Sequence, residues 1–255
     1  MPMKPLSDLH THTVASGHAF STLKENIESA REAGLDTLGI SDHSPGMPGG
    51  PPMSFFENMK VIPPIVDKIR ILRGMESNII DYEGSIDGGR VMKFLDYVIA
   101  SLHPPCLSPG TEEENTRAVV GAIKNPFVKI IGHPEDRRFP KNYEKIAEAA
   151  AAAAYGKVLE INDSSLRPGS SRASTSKDML ELICSAQKYG TFLIMGSDAH
   201  ICWDVGRLDT AQRILENSGF PADHILNFWK NGLNKIIDLT DCTENTKITE
   251  ENCSI

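Results

Sequence analysis

The sequence predicts an α/β barrel, on three observations. Strand and helix signals alternate along the 255 residues. The strand signals are short, apolar and mostly non-alternating, as in a parallel sheet covered by helices. Every predicted strand also ends on His, Glu, Asn or Asp, and barrels of this kind place their active sites at that end.

The elements follow in order. Pro5 to His10 reads as a short opening strand. Thr22-Leu23-Lys24-Glu25 has the spacing of a capping box, Leu23, Ile27 and Ala30 follow at helical spacing, and Gly34 closes the helix. Strands are expected over 37–41, ending at Asp42-His43; over 70–75, ending at Glu76; over 97–102, ending at His103; and over 128–132, ending at His133. Two more cover 158–161, ending at Asn162, and 191–197, ending at Asp198. The set suggests seven strands. Helical faces are marked by Tyr143, Ile146, Ala147, Ala150 and Ala154 before Gly156, by Met179, Leu182, Ile183 and Ala186 before Gly190, and by Leu208, Ala211, Ile214 and Leu215 before Gly219. Residues 44–52 form a Pro/Gly-rich loop beside the strand ends, either a lid or a long connection. Residues 1–240 are expected to form one domain, and 241–255, polar and aperiodic, a frayed tail.

Composition narrows the class. A hydrophobic content of 40% suffices for a sizeable core. No apolar run approaches the ~20 residues of a membrane span, and the N-terminus leads straight into a strand without a signal-peptide pattern. A soluble cytoplasmic protein is expected. The five cysteines are scattered without a C-x-x-C pair, which fits reduced thiols. Cys106 and Cys202 follow candidate histidines, but oxygen and imidazole donors already fill the site. A formal charge of −8 argues against a partner such as long nucleic acid, though not against a small anionic substrate.

Seven of the eight histidines sit where a predicted strand meets a loop: His10, His12, His18, His43, His103, His133 and His200. Glu76 and Asp198 join them. Imidazole is the commonest transition-metal ligand, so this distribution points to a multinuclear metal site. His224 stands apart as an ordinary helix or surface histidine.

The motifs Asp8-Leu9-His10-Thr11-His12, Ser41-Asp42-His43, Gly74-Met75-Glu76, His103-Pro104, Gly132-His133-Pro134 and Gly196-Ser197-Asp198-Ala199-His200 together resemble the polymerase and histidinol phosphatase (PHP) superfamily. The segments 14–22 and 160–165 are most similar to its YcdX-type phosphatase branch. The resemblance implies a distorted (βα)7 TIM-like barrel with a trinuclear centre at the C-terminal ends of the strands. It further implies that His10, His12, Glu76 and Asp198 bind a first metal, Glu76, His103 and His133 a second, and His18, His43 and His200 a third. Glu76, Asp198 and His18 are the expected catalytic residues.

An imidazole-rich set with few carboxylates suits zinc first, with manganese or iron compatible, and disfavours calcium and magnesium. A water shared by two such ions is acidified toward hydroxide and can attack phosphorus, while the ions offset developing charge. No G-x-S-x-G elbow, P-loop or convincing Cys-His arrangement is present, so hydrolysis of a small phosphate monoester without a protein nucleophile is the leading expectation. Ser16, Ser164 and Ser165 read as loop hydrogen-bonding residues. Asp8 and Asp42 precede ligand histidines and are candidates for orienting imidazoles, although Asp8 also reads simply as closing a strand. Arg137, Arg138, Arg167 and Arg172 lie in loops beside the site, and one of them is expected to grip the substrate phosphate; Arg137 and Arg167 are the substrate-binding candidates, with Asn162 pointing inward. Three other readings stay open: an amidohydrolase-like enzyme cleaving amides or lactones, a phosphoesterase of nucleotide ends, and a non-enzymatic metal-binding module. Oligomeric state and natural substrate are left undetermined by the sequence.

Overall fold

The structure, a computed structural model, describes residues 3–153, 157–172 and 176–237. The strands are β1 (Ser7–Asp8), β2 (Thr37–Ile40), β3 (Ile65–Val66), β4 (Ile69–Asn78), β5 (Tyr97–Ser101), β6 (Val128–Ile131), β7 (Val158–Asn162) and β8 (Leu193–Gly196). The helices are α1 (Leu23–Ala33), α2 (Met53–Asn58), α3 (Glu112–Ile123), α4 (Tyr143–Ala152), α5 (Ser176–Tyr189) and α6 (Asp209–Ser218). The sheet runs β1-β2-β4-β5-β6-β7-β8, all parallel, with β3 antiparallel on β4.

The ring closes between β1 and β8 by two devices. At the upper end, Thr11 bridges Ala199, with His12 N donating to Ala199 O at 2.9 Å. Lower down, the buried Asn227 side chain replaces a strand ladder. Its Nδ2 donates to Ser7 O (2.8 Å) and Met195 O (2.9 Å), and its Oδ1 accepts from Met195 N (2.7 Å).

Period-two alternation divides the core. Leu72, Tyr97, Ile99, Ile130, Val158 and Ile194 form one buried cluster inside the barrel, floored by Leu226, Leu233, Ile236 and Ile237. Alternate residues such as Ile71, Val98, Ala100, Leu159 and Met195 pack outward against Ala30, Ala118, Ile146, Leu182 and Leu215 of the helices. The same alternation, continued upward, turns the inward positions polar or small. They become Glu76 and Asn78 on β4, Ser101 on β5, Glu160 and Asn162 on β7, and Gly196 on β8. Thus the apolar floor carries a buried polar chamber.

Several elements differ from the sequence expectation. β4 runs two residues past Glu76, so Glu76 lies within a strand facing the chamber. α3 was not foreseen, although its Thr111/Glu114 capping box repeats the Thr22/Glu25 box of α1. Gly34, Gly190 and Gly219 follow their helices with positive φ as expected. α4 ends at an Ala153 cap, while Ala154 and Gly156 lie outside the described residues, as does the tail 241–255. The 44–52 loop is tied down: Ser44 N donates to Glu76 O (2.9 Å), Gly46 N to Asp87 Oδ2 (3.0 Å) and Gly50 N to Met47 O (2.8 Å). Among the described residues, no helix is long and apolar enough to cross a membrane.

Candidate metal centre

All nine metal-ligand candidates meet at the top of the barrel. Glu76 is at the centre and divides its neighbours between its two oxygens. Its Oε1 lies 3.3 Å from His10 Nε2, 3.3 Å from His103 Nε2 and 3.0 Å from His133 Nε2. Its Oε2 lies 2.7 Å from His43 Nδ1 and 3.5 Å from His12 Nε2. Asp198 Oδ1 is 3.4 Å from His10 Nε2 and 3.3 Å from His12 Nε2. His18 sits at the rim, with its Nε2 3.1 Å from His200 Nε2. Donor atoms of His10, His12 and Glu76, of His43, Glu76 and His103, and of His12, His43 and His200 each lie within 4.8 Å of one another.

The donors are placed by the strand ends and held by neighbours beneath them. His10 Nδ1 lies 2.7 Å from Glu160 Oε1, and a carboxylate only accepts, so this nitrogen carries the proton. His103 Nδ1 faces Asn78 Oδ1 at 2.7 Å, and His200 Nδ1 faces Asp198 O at 3.0 Å. His12 Nδ1 faces Ser16 Oγ at 3.1 Å, whose own proton goes to Asp42 Oδ1 at 2.7 Å. In His12, His103 and His200 the Nε2 lone pair is therefore left for the centre, and in His10 the Nδ1 contact fixes Nε2 as the atom that faces it.

This explains Asp42, which acts on His12 through Ser16. Asp8 instead accepts from the backbone of His10, Ser197 and Gly206 (3.3, 3.2 and 2.9 Å) and holds the β1–β8 seam. The sequence reading assigned no role to Glu160. A carboxylate inside the apolar run Val158-Leu159-Glu160-Ile161 was the available signal. Gly196 makes room for it, since a Cβ there would stand 1.9 Å from Glu160 Oε1.

The donor set fits divalent ions on an observation of the fold itself. Among the described residues, the buried atoms His10 Nε2, His12 Nε2, His43 Nδ1, Glu76 Oε2 and Asp198 Oδ1 make no hydrogen bond outside the cluster and face one another within it. Buried polar atoms are ordinarily satisfied, and these five belong to one cluster. Two of the four positive-φ non-glycine residues among the described residues lie here, His133 and Asp198 with φ of 29° and 52°, left-handed values that non-glycine residues rarely adopt; the other two, Asp67 and Lys68, form the turn between β3 and β4.

The electrostatics are those of a crowded, desolvated site. Burial disfavours the His10 cation, but Glu160, Asp198 and Glu76 outweigh it and raise its pKa well above the usual value. Burial, with His200 and His43 nearby, holds His12 well below. Glu76 stays ionised against its burial because His10, His103 and His43 surround it. Asp198 does so through Arg172, His10 and His12.

A cleft of about 650 Å³ opens above the cluster, lined by His18, His43, His103 and His200, by Met47 and Pro48, and by Arg138, Arg167 and Arg172. Arg137 is not among its lining residues; its exposed side chain approaches Asp178 at 3.6 Å. Arg167 lines the cleft but spends its guanidinium on Asp163 (3.1 Å) and Asp204 (2.7 Å). Arg172 reaches farthest inward, pairing with Asp198 Oδ2 and donating to Ser164 Oγ at 3.0 Å. Asn162 is fully buried and braces the chamber, its Oδ1 accepting from Ser164 Oγ and Ser165 N and its Nδ2 donating to Glu160 Oε2. Cys106 donates to Gly46 O, and burial pushes its thiol up to about 11. His224 is not among the residues lining the cleft and stacks on Phe192 with ring centroids 4.7 Å apart.

A family model described as the PHP domain matches residues 8–164. A protein of Caldanaerobacter subterraneus subsp. tengcongensis named "Probable phosphatase" is 48% identical over 229 residues, covering 89% of each chain. One of the same name from Clostridium novyi is 42% identical over 226 residues, covering 88% of this chain and 91% of the other. The fold is similar to a crystal structure of histidinol phosphate phosphatase from Lactococcus lactis subsp. lactis, complexed with zinc, L-histidinol and phosphate. The TM-score is 0.57 at 20% identity, over 85% of this chain and 95% of that one.

Proposed function

The chain belongs to the PHP domain family, and from that premise we propose that it is a metal-dependent phosphatase of small phosphate monoesters with a trinuclear centre. The observation that carries this reading is the set of buried donors around Glu76 that make no hydrogen bond outside their cluster, beneath a cleft that holds Arg172. The naming of the 48% and 42% identical relatives as probable phosphatases supports the reaction class.

In this reading Glu76 would help hold the ions, its Oε1 facing His10, His103 and His133 and its Oε2 facing His12 and His43. His18, His43 and His200 serve the rim. Bound divalent ions, zinc first and manganese or iron compatible, would acidify a water and offset charge on the phosphoryl oxygens. The protein's own part is orientation. Glu160, Asn78 and Ser16 keep protons on the Nδ1 atoms of His10, His103 and His12, so that Nε2 is available without a tautomer change. Arg172, held by Asp198 Oδ2 and Ser164 Oγ in the cleft, supplies a fixed, permanent positive charge toward a phosphoryl oxygen. Met47, Pro48, Pro104 and Pro105 give the leaving group an apolar wall.

The test is elemental analysis of the purified protein followed by phosphate release from a panel of small phosphate esters. Three ions per chain, turnover abolished by a chelator, and recovery with zinc or manganese are expected. Glu76→Gln should retain the fold by circular dichroism and lose turnover. A fully loaded protein with one ion would overturn the trinuclear reading. Preference for amides or lactones, with the phosphate panel untouched, would overturn the phosphatase.

A further inference from the structure

Asn78 ends β4 with its side chain in the chamber and accepts from His103 Nδ1 at 2.7 Å. A carboxamide can make that contact with either end, and its two orientations present opposite chemistry to the ring. Oxygen toward His103 requires a proton on Nδ1; nitrogen toward it requires the proton on Nε2, which removes the lone pair facing Glu76. Something else must set the amide's orientation.

That residue is Asp87. The chain leaves β4, turns back through the Ile79–Ile86 bridge and returns Asp87 beside Asn78. Asp87 Oδ2 accepts from Asn78 Nδ2 at 2.9 Å, and Oδ1 accepts from Asn78 N at 2.7 Å. Ser44 Oγ donates to Asp87 Oδ1 at 2.6 Å, so it in turn accepts from Asn78 Nδ2 at 2.8 Å. A carboxylate has no proton to offer a flipped amide. Asn78 can only turn its NH2 toward Asp87 and its oxygen toward His103.

We propose that Asp87 is a positioning residue that fixes the His103 tautomer through Asn78 and so sets how strongly His103 binds a divalent ion. Asp87 also accepts from Gly46 N at 3.0 Å, which ties the Pro/Gly-rich cleft wall to the same relay. Glycine at 46 permits the approach, since a Cβ there would stand 2.3 Å from Asp87 Oδ2. The inference rests on the reading of His103 as a metal ligand.

The two are separable by nitrogen NMR of the ring in protein carrying isotope-labelled histidine. The metal-free wild type should show His103 protonated on Nδ1, and added zinc should shift its Nε2 resonance. Asp87→Asn should give a mixture of both ring tautomers in the metal-free protein and weaken zinc binding by roughly 10- to 100-fold in competition with a chromophoric chelator. The transposed pair Asp87→Asn with Asn78→Asp returns an acceptor-only group to His103 and should restore the Nδ1-protonated form. If Asp87→Asn does not fold, Gly46→Ala displaces the carboxylate sterically and should produce the same tautomer mixture. Zinc that leaves His103 Nε2 unmoved in the wild type overturns the ligand reading and this proposal with it. Zinc that moves it, with tautomer and affinity unchanged in Asp87→Asn or in Gly46→Ala, overturns the relay alone.

Discussion

Glu160 Oε1 lies 2.7 Å from His10 Nδ1, while Glu160 Oε2 accepts from His133 N at the same distance. One buried carboxylate thus orients a ring on one strand and holds the backbone of a candidate ligand on another. Its charge also raises the His10 pKa, so a metal ion arriving at Nε2 must displace a proton. Glu160→Gln keeps the shape and removes the charge. Metal affinity at neutral pH is expected to fall roughly 10- to 100-fold, and its rise with pH should begin at lower pH because His10 loses its proton more easily. Chelator competition across pH measures both; an unchanged affinity at every pH would remove Glu160 from the site.

The metal-free protein should lose stability on mild acidification. Burial, with neighbouring imidazoles, holds His12 well below 6.5; burial takes His103 to about 4; burial and Arg172 lower His133. For each, the unfolded chain binds protons that the folded chain refuses, so stability falls as pH drops from about 6.5 toward about 4. His10 runs the other way: its contribution is fully present below 6.5 and is lost as pH rises through its raised folded value. Glu76 and Asp198, whose carboxyls are depressed, hold their contribution until far lower pH. His18, also lowered, adds to the loss, while Asp8, Asp42 and Glu135, whose carboxyls burial raises, take up protons in the folded chain and offset part of it; four lowered imidazoles leave a net loss over the window. Urea unfolding with chelator present should show a lower midpoint at pH 5 than at pH 7, and a higher one would refute the balance.

Arg172 and Arg137 should separate cleanly in kinetics. Arg172 lies inside the cleft beside Asp198, whereas Arg137 points away toward Asp178. Arg172→Ala is expected to cost about 100-fold or more in kcat/KM, the scale for losing a charged group aimed at developing charge. Arg137→Ala should change it little. Equal effects of the two would show that the phosphate is held elsewhere.

Asn227 makes a different kind of prediction, because its work is purely structural. Its carboxamide satisfies Ser7 O, Met195 O and Met195 N across the β1–β8 seam. Asn227→Leu leaves these buried groups without partners and should cost roughly 2–4 kcal/mol, read from denaturant unfolding. Metal content per folded chain should be unchanged. A loss below about 0.5 kcal/mol would mean that the Thr11–Ala199 bridge closes the barrel alone.

These residues mark the boundary of what the sequence made legible. Strand ends were readable because apolar runs stop at His43, His103, His133 and Asp198, and the chemistry of those residue types is distinctive. Glu76 was found although its strand continues to Asn78. Groups that act through other groups were harder. Asp87 carries no local pattern, Glu160 hides within an apolar strand, and Asn227 acts on Ser7 from 220 positions away. Among the loop arginines, no spacing rule distinguishes Arg172 from Arg137, because side-chain direction in irregular segments is set by tertiary partners. α3 was legible and overlooked, since its capping box has the same form as that of α1.

Water, and not a side chain, is expected to be the nucleophile. Ser164 Oγ lies within hydrogen-bond distance of Asn162 Oδ1 (2.9 Å) and Arg172 Nη1 (3.0 Å), and Cys106 keeps its proton, its thiol pushed up to about 11 by burial. His18 is the exception. It lines the cleft, is less buried than the other rings and has a pKa lowered by burial, His43 and His200, so it is neutral and nucleophilic near pH 7. Attack by water and attack by His18 leave different marks. A single turnover in heavy-oxygen water should place one label in each released phosphate in both cases, so label alone does not decide. Acid-labile phosphate on His18, trapped by rapid quench at alkaline pH and located by peptide mass spectrometry, does. The expectation is none, with His18→Asn losing one ion from the rim and most of the turnover together. A phosphorylated His18 that forms and decays at the turnover rate would overturn direct transfer to water.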